Sequence, residues 1–274
     1  VPYSLIVERL IPKVEGFPYE GGRHTLIKNL AIEYTNTMWN SMSFVYESQG
    51  LIENVYLKAN YTNTNVVNES TCRIGGIVSI NNSSGKIKNC IAEVSFGDTT
   101  ILAKAVGAIA WMNQANGAVD NCYVVSNGTT AAFVPAQATG TATNYGVYAS
   151  VADLVTAQGA NVTAANGWSD YWTAEKVTTS EFASAGYSKN LLKFGETEII
   201  NVIALSSGVE SANFDKLIES NISGYYVLTS DLDFNGVATQ PIGNASNQFT
   251  GTIDGQGYTI KNYVGGASTR CCGA

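Results

Sequence analysis

Charge is scarce in this chain. Only 14% of its 274 residues are Asp, Glu, Lys or Arg, against about a quarter in ordinary soluble domains. Solubility must then come from Asn, Ser, Thr and Gly. The 15 basic and 22 acidic residues leave a net charge of −7. That sign does not suit nucleic-acid phosphates, which need a basic face, nor docking on an anionic membrane. Histidine is nearly missing, with His24 the only one. The cysteines are Cys72, Cys90, Cys122, Cys271 and Cys272, an odd number that one chain cannot fully pair. With no Cys-x-x-Cys spacing and one histidine, no metal and no cofactor is expected. No apolar run reaches the roughly 18 residues that would suggest a transmembrane helix. No signal peptide is visible, and the first residue is Val1, so the chain reads as processed, truncated or a portion of something longer.

What the chain does have is 45% hydrophobic residues, enough for a core, and an internal repeat. Residues 75 to 90 align without a gap on residues 107 to 122. Gly75 falls on Gly107, Asn81 on Asn113, Gly85 on Gly117, Asn89 on Asn121 and Cys90 on Cys122, an offset of 32. A fixed period of that size marks a repeat architecture. The phrase after Gly85 also follows Gly22 and Gly50, so Asn29 and Asn54 precede Asn89 and Asn121 in steps of 25, 35 and 32. Alternation after each glycine predicts short strands with apolar positions inward. Unequal steps predict loops of different length at one corner of each coil. The expected architecture is a β-solenoid.

The recurrent Asn has a structural reason. At a coil corner it tolerates left-handed backbone and bonds its own turn. Stacked in register, such residues form amide ladders. Cys90 and Cys122 would stack in neighbouring coils as small buried apolar residues.

Residues 1 to 194 read as one solenoid with its cap, and 195 to 274 as a second unit that is incomplete. A short capping helix is expected where Thr178 or Thr179 precedes Glu181, and an amphipathic helix over 214 to 219. A further strand is expected near Gly146 to Val151. In the second unit, Asp254 and Gly255 fit a turn. The phrase from Gly255 to Asn262 repeats the one from Gly22 to Asn29, each ending Ile-Lys-Asn.

The phrases Gly75-Gly76-Ile77-Val78, Asn81, Gly85, Ile87 and Asn89, with their second copy from Gly107, resemble the GLUG repeat of bacterial surface proteins. Residues 226 to 233, Pro241-Ile242-Gly243 and 249 to 255 look like the segment that leads into such repeats. The likeness covers roughly residues 20 to 125 and 196 to 262. Ala108 replaces the second glycine in one copy, and the phrase near Met42 lacks the glycine pair. The resemblance implies a right-handed parallel β-helix of the filamentous-haemagglutinin-like and pectate-lyase-like kind. It also implies a secreted, cell-surface or phage-fibre protein, and it brings no catalytic residues.

Chemistry was sought in the remaining residues. A glycosidase needs two carboxylates about 5 to 10 Å apart. Asp231 and Asp233 share one strand face and form the best pair, but both fall in the lead-in segment. No clustered acidic repeat suggests calcium. The aromatic group Trp168, Tyr171 and Trp172, with Asp170 between, is the best candidate sugar-stacking surface, and Trp111, Tyr145 and Tyr148 are candidates to join it. The competing reading is that these rings cap the open end of the solenoid.

The expected protein is an all-β, right-handed parallel β-helix with irregular loops. Its expected role is a non-enzymatic, extracellular or virion module that binds glycans or host-surface proteins. A polysaccharide-degrading lyase or hydrolase and a phage-fibre component are the alternatives. Head-to-tail self-association is expected if the C-terminal coil is continued by another chain.

Overall fold

In the computed structural model the protein is all-β; among the described residues one helix has defined bounds and every strand pairing is parallel. The structure describes residues 3–10, 26–36, 42–61, 74–96, 106–126, 140–163, 166, 168, 202–205, 218, 220–236, 238–239, 242–243 and 246–265.

The 32-residue offset is the register itself. Gly75 faces Gly107, Val78 faces Ala110, Ile87 faces Val119 and Ile91 faces Tyr123, each pair 32 apart. Because parallel partners align residue by residue, like side chains fall into columns across neighbouring strands. One column runs Tyr226, Ile253, Ile27, Ile52, Ile87, Val119 and Ala142. Another runs Leu232, Ile260, Ile32, Leu57, Ala92, Val124 and Val147. Leu30, Val55, Cys90 and Cys122 sit between them, and all four are buried. Each large apolar side chain so enclosed contributes about 1.5–3 kcal/mol, and the β-branched residues suit the pleated surface. The outer positions alternate in charge: Asp254, Lys28, Glu53, Lys88 and Asp120 follow one another. Opposite neighbours avoid like-charge repulsion on a parallel ladder.

The largest sheet has 13 strands. Its main path runs Thr141–Thr143, Ala118–Asp120, Lys86–Lys88, Leu51–Tyr61, Leu26–Asn36, Thr252–Asp254, Tyr225–Leu228 and Val202–Leu205. A second sheet, of four strands, joins Tyr3–Leu10, Met42–Ser48, Val78–Asn81 and Ala110–Asn113. The described strands of residues 202 to 265 therefore lie ahead of Leu26–Asn36 in the same sheet and share its core.

The repeat position assigned to Asn262 shifts. Thr252–Asp254 pairs with 26–28, but Thr259 and Ile260 pair with Ala31 and Ile32. The turn at 255–258 takes up two extra residues, held by Gly257 N donating to Asn29 O at 2.8 Å. So Asp254 and Gly255, not Asn262, stand beside Asn29. Asn262 is a left-handed corner (φ 51°) further on, where its Nδ2 donates to Asp233 Oδ1 at 2.8 Å.

The helix α1 covers Val151–Gln158. Ser150, in extended backbone, accepts from Asp153 N and so caps its first turn. The strand expected here ends at Tyr148, because that cap starts a helix instead. The capping helix expected near 178 lies outside the described residues, as does nearly all of 214 to 219. Leu154 of α1, Val162 and Trp168 pack on Ala31, Tyr56, Ile91, Tyr123 and Val125. These form an outer apolar column beside the main core, so the 150s cover the side of the sheet near its last strands.

Candidate functional site

Five asparagines occupy one corner of successive strands, all left-handed: Asn29 (φ 54°), Asn54 (54°), Asn89 (53°), Asn121 (53°) and Asn144 (48°). Asn is among the few side chains that visit this region readily. Asn121 Nδ2 donates to Asn89 Oδ1 at 2.7 Å, one rung of an amide ladder. At the head of the line Asn29 Nδ2 donates to Asp254 Oδ1 at 3.2 Å. A second ladder lies inside the fold. Asn81 Nδ2 donates to Asn113 Oδ1 at 2.8 Å, and Asn113 Nδ2 donates to Thr141 O at 2.9 Å. Gly85 and Gly117 are required beside it, since a Cβ would stand 2.2 Å from Asn81 Oδ1 and 2.4 Å from Asn113 Oδ1.

Where the outer ladder reaches its last rungs, the chain encloses a hollow of about 490 Å³. That is within the size range of small-ligand sites. One wall is the corner, with Asn89, Asn121 and Asn144 beside Lys88 and Asp120. The other is the end of α1 and the chain after it, with Gln158, Asn161 and Asn166. Tyr123 and Tyr145 complete the lining. Tyr145 is 55% exposed.

The lining is held by hydrogen bonds. Asp120 Oδ1 accepts from Thr143 Oγ1 at 2.6 Å and from Asn144 Nδ2 at 3.1 Å. Tyr123 OH donates to Asn121 Oδ1 at 2.9 Å. Gln158 Nε2 donates to Tyr148 OH, Asn161 Nδ2 to Gln158 Oε1, and Asn166 Nδ2 to Asn161 O. The ring of Tyr123 is fixed too. It stacks on Trp168 at 5.9 Å and meets Tyr148 edge-on at 6.3 Å. Burial, then the neighbouring Tyr148, Cys122 and Asp120, push its hydroxyl up to about 12, so it is a neutral donor at ordinary pH.

The aromatic candidates separate on this geometry. Trp168 is buried beneath Tyr123 and offers no open face, and Trp111 is buried as well. Trp168 covers the side of the sheet rather than the open end of the stack. Asp170, Tyr171 and Trp172 lie outside the described residues, as do His24, Cys72, Cys271 and Cys272. Of the named aromatics among the described residues, Tyr145 alone combines exposure with a cavity. The amides of Asn144, Asn161 and Asn166 were not read as a site from the sequence. The available signal was Asn144 itself, which follows a Thr-Ala-Thr strand as Asn121 follows Ala-Val-Asp.

The carboxylate candidates are engaged in the scaffold. Asp254 is buried, 3.3 Å from Lys28 Nζ. Asp231 accepts from Thr259 N at 3.0 Å and lies 3.9 Å from Lys261. Asp233 accepts from Asn262 and from Asn235 N, and these bonds hold its carboxyl below the usual range. Cys90 and Cys122 are free and buried. Burial first, then Cys90, pushes the Cys122 thiol well up. No group of three His, Cys, Asp or Glu suited to a metal occurs among the described residues. No helix among them is long and apolar enough to cross a membrane.

Comparisons of the chain with protein-family models, with curated proteins and with solved structures give no match.

Proposed function

We propose that this protein is a non-enzymatic, surface-exposed module built as a right-handed parallel β-helix of the GLUG-repeat type, which adheres to glycan-bearing surfaces. The observation that carries the reading is the common register. The same 32-residue step joins strands at Gly75, Val78, Ile87 and Ile91, as a coil passing through the same positions on each turn requires. Right-handedness follows from the strong preference of parallel crossovers for that hand. A scaffold of this kind is rigid and repeats its outer positions, which suits an extended binding surface. The acidic residues best placed for glycoside chemistry are occupied in that scaffold, so adhesion is favoured over hydrolysis. Such a module belongs outside the cell or on a virion.

The test is a panel of neutral and acidic polysaccharides assayed both for retention and for new reducing ends. Retention without depolymerisation is the expected outcome. Depolymerisation that scales with protein and survives repurification sinks the adhesive reading in favour of a lyase or hydrolase.

A fibre component is the second reading, and one observation favours it. The apolar column from Leu232 ends at Val147, which is 49% exposed on an edge strand. A second copy stacked there would cover it and extend the ladder head to tail. Sedimentation that shows a monomer at all concentrations refutes this.

A further inference from the structure

Granting the adhesive reading, we infer that the hollow beside Asn121 and Asn144 binds the uncharged end of a glycan, with Tyr145 covering the sugar ring and the surrounding amides pairing with its hydroxyls.

Charge points to a neutral ligand. The two ionised side chains of the lining, Lys88 and Asp120, are of opposite sign. Lys88 is also 3.9 Å from Glu53, and the whole chain carries −7. An anionic sugar would find no net attraction here. The lining also argues against a lipid or an apolar ligand, because amides, a carboxylate and hydroxyls dominate it.

The amides are placed and not exhausted. An Asn side chain offers two N–H donors and two carbonyl lone pairs. Asn144 uses one N–H on Asp120, Asn161 one on Gln158 and Asn166 one on the Asn161 carbonyl. Each is thereby oriented, each is exposed, and each keeps capacity for further bonds. Adjacent hydroxyls of a pyranose present donor and acceptor pairs at the spacing of a planar amide or carboxylate. Asp120, held by Thr143 and Asn144, supplies the carboxylate. Tyr145 supplies a half-exposed ring, and aromatic faces pack against the C–H face of a sugar while the hydroxyl stays wet. The walls are pre-formed by the outer Asn ladder and by the Tyr123–Trp168 stack, which lowers the ordering cost of binding.

The experiment uses the full chain on immobilised neutral oligosaccharides ending in mannose, glucose, galactose or N-acetylhexosamine, beside sialylated and uronate-terminated ones. Adherence to glycan-coated and deglycosylated cells is measured in parallel. Tyr145→Ala and Asn166→Ala are compared with Tyr145→Phe, and thermal midpoints report whether each variant folds. The expected result is retention of a neutral glycan, weakened tenfold or more by Tyr145→Ala and several-fold by Asn166→Ala, and retained by Tyr145→Phe. Equal binding by folded Tyr145→Ala and Asn166→Ala overturns the assignment of the hollow and leaves adhesion standing. Binding confined to acidic glycans overturns the neutral class. Adherence to deglycosylated cells with no glycan retained overturns the hollow and the glycan target while adhesion stands, and no adherence to anything overturns the adhesive reading as well.

Discussion

Replacing Asn121 separates the two reasons for an asparagine at the corner. Its backbone is left-handed (φ 53°), which a Cβ disfavours by about 1–2 kcal/mol for ordinary residues. Its amide donates to Asn89 Oδ1 at 2.7 Å and accepts from Tyr123 OH at 2.9 Å. Each bond is worth about 1 kcal/mol net, and a buried hydroxyl stripped of its acceptor costs about 1–3 kcal/mol. Asn121→Ala loses both bonds and keeps the strained backbone, so about 3–4 kcal/mol is expected. Asn121→Gly loses the same bonds but relieves the backbone, at a chain-entropy cost of about 0.5–1 kcal/mol. The glycine variant should therefore be the milder by about 1 kcal/mol. Asn116 provides the control. It is also left-handed (φ 67°) but sits exposed in the 114–117 turn, so alanine there should cost only about 1 kcal/mol and glycine almost nothing.

The assay is urea unfolding followed by far-ultraviolet circular dichroism. With a slope of about 3 kcal/mol/M, Asn121→Ala should lower the midpoint by about 1 M. If alanine and glycine are equally harmful at 121, the left-handed requirement is not what selects asparagine. If both match the unsubstituted protein, the ladder contributes nothing.

Lys28→Met should be costly, because it strands the buried Asp254 carboxylate 3.3 Å away. A loss of about 3–5 kcal/mol is expected in urea unfolding, and Lys28→Met with Asp254→Asn should recover most of it. Cys90 and Cys122 should resist iodoacetamide in the folded protein at pH 8 and react fully in denaturant, as read by peptide mass spectrometry, since both thiols are buried. Alkali should destabilise the fold. Burial pushes Tyr123 and Tyr226 to about 12, so the native state holds protons that the unfolded chain releases near 10. Stability is then full below pH 10 and falls between pH 10 and 12, with these two rings ionising above the ordinary tyrosine range in a titration at the tyrosinate absorption band.

Much of the ladder was legible in the sequence because parallel stacking leaves its period in the chain. Gly75, Asn81, Gly85 and Asn89 fall on their partners 32 residues later, and those pairs are the observed neighbours. A parallel register is a pairing of like with like, so self-alignment finds it. The left-handed Asn corner was legible for the same reason, since one backbone demand recurs at 29, 54, 89 and 121. Asn144 escaped because its step from Asn121 is short and because Ala142 fills the position that Ile52, Ile87 and Val119 mark in the other phrases, although Gly140 precedes it as Gly117 precedes Asn121. Asn262 misled because its local phrase copies that of Asn29, while its register is set by the wider turn at 255–258. Short sequence likeness reports local turn chemistry, and only pairing reports position.

The site was harder to read for a reason built into the fold. Asn89 and Asn121 have a complete structural duty at the corner, and that duty hides a second role. In a ladder the two roles are not exclusive. An amide stacked on its neighbour uses one donor and one acceptor along the stack and points the others sideways. At the last rungs the chain turns outward through α1, so the sideways valences of the corner meet those of Asn161 and Asn166 across an open gap. A binding surface then needs no special motif. It arises wherever a repeated structural residue reaches the end of its repeat, and what the repeat does not supply is the exposed ring of Tyr145 beside that end and the amides of Asn161 and Asn166 across the gap.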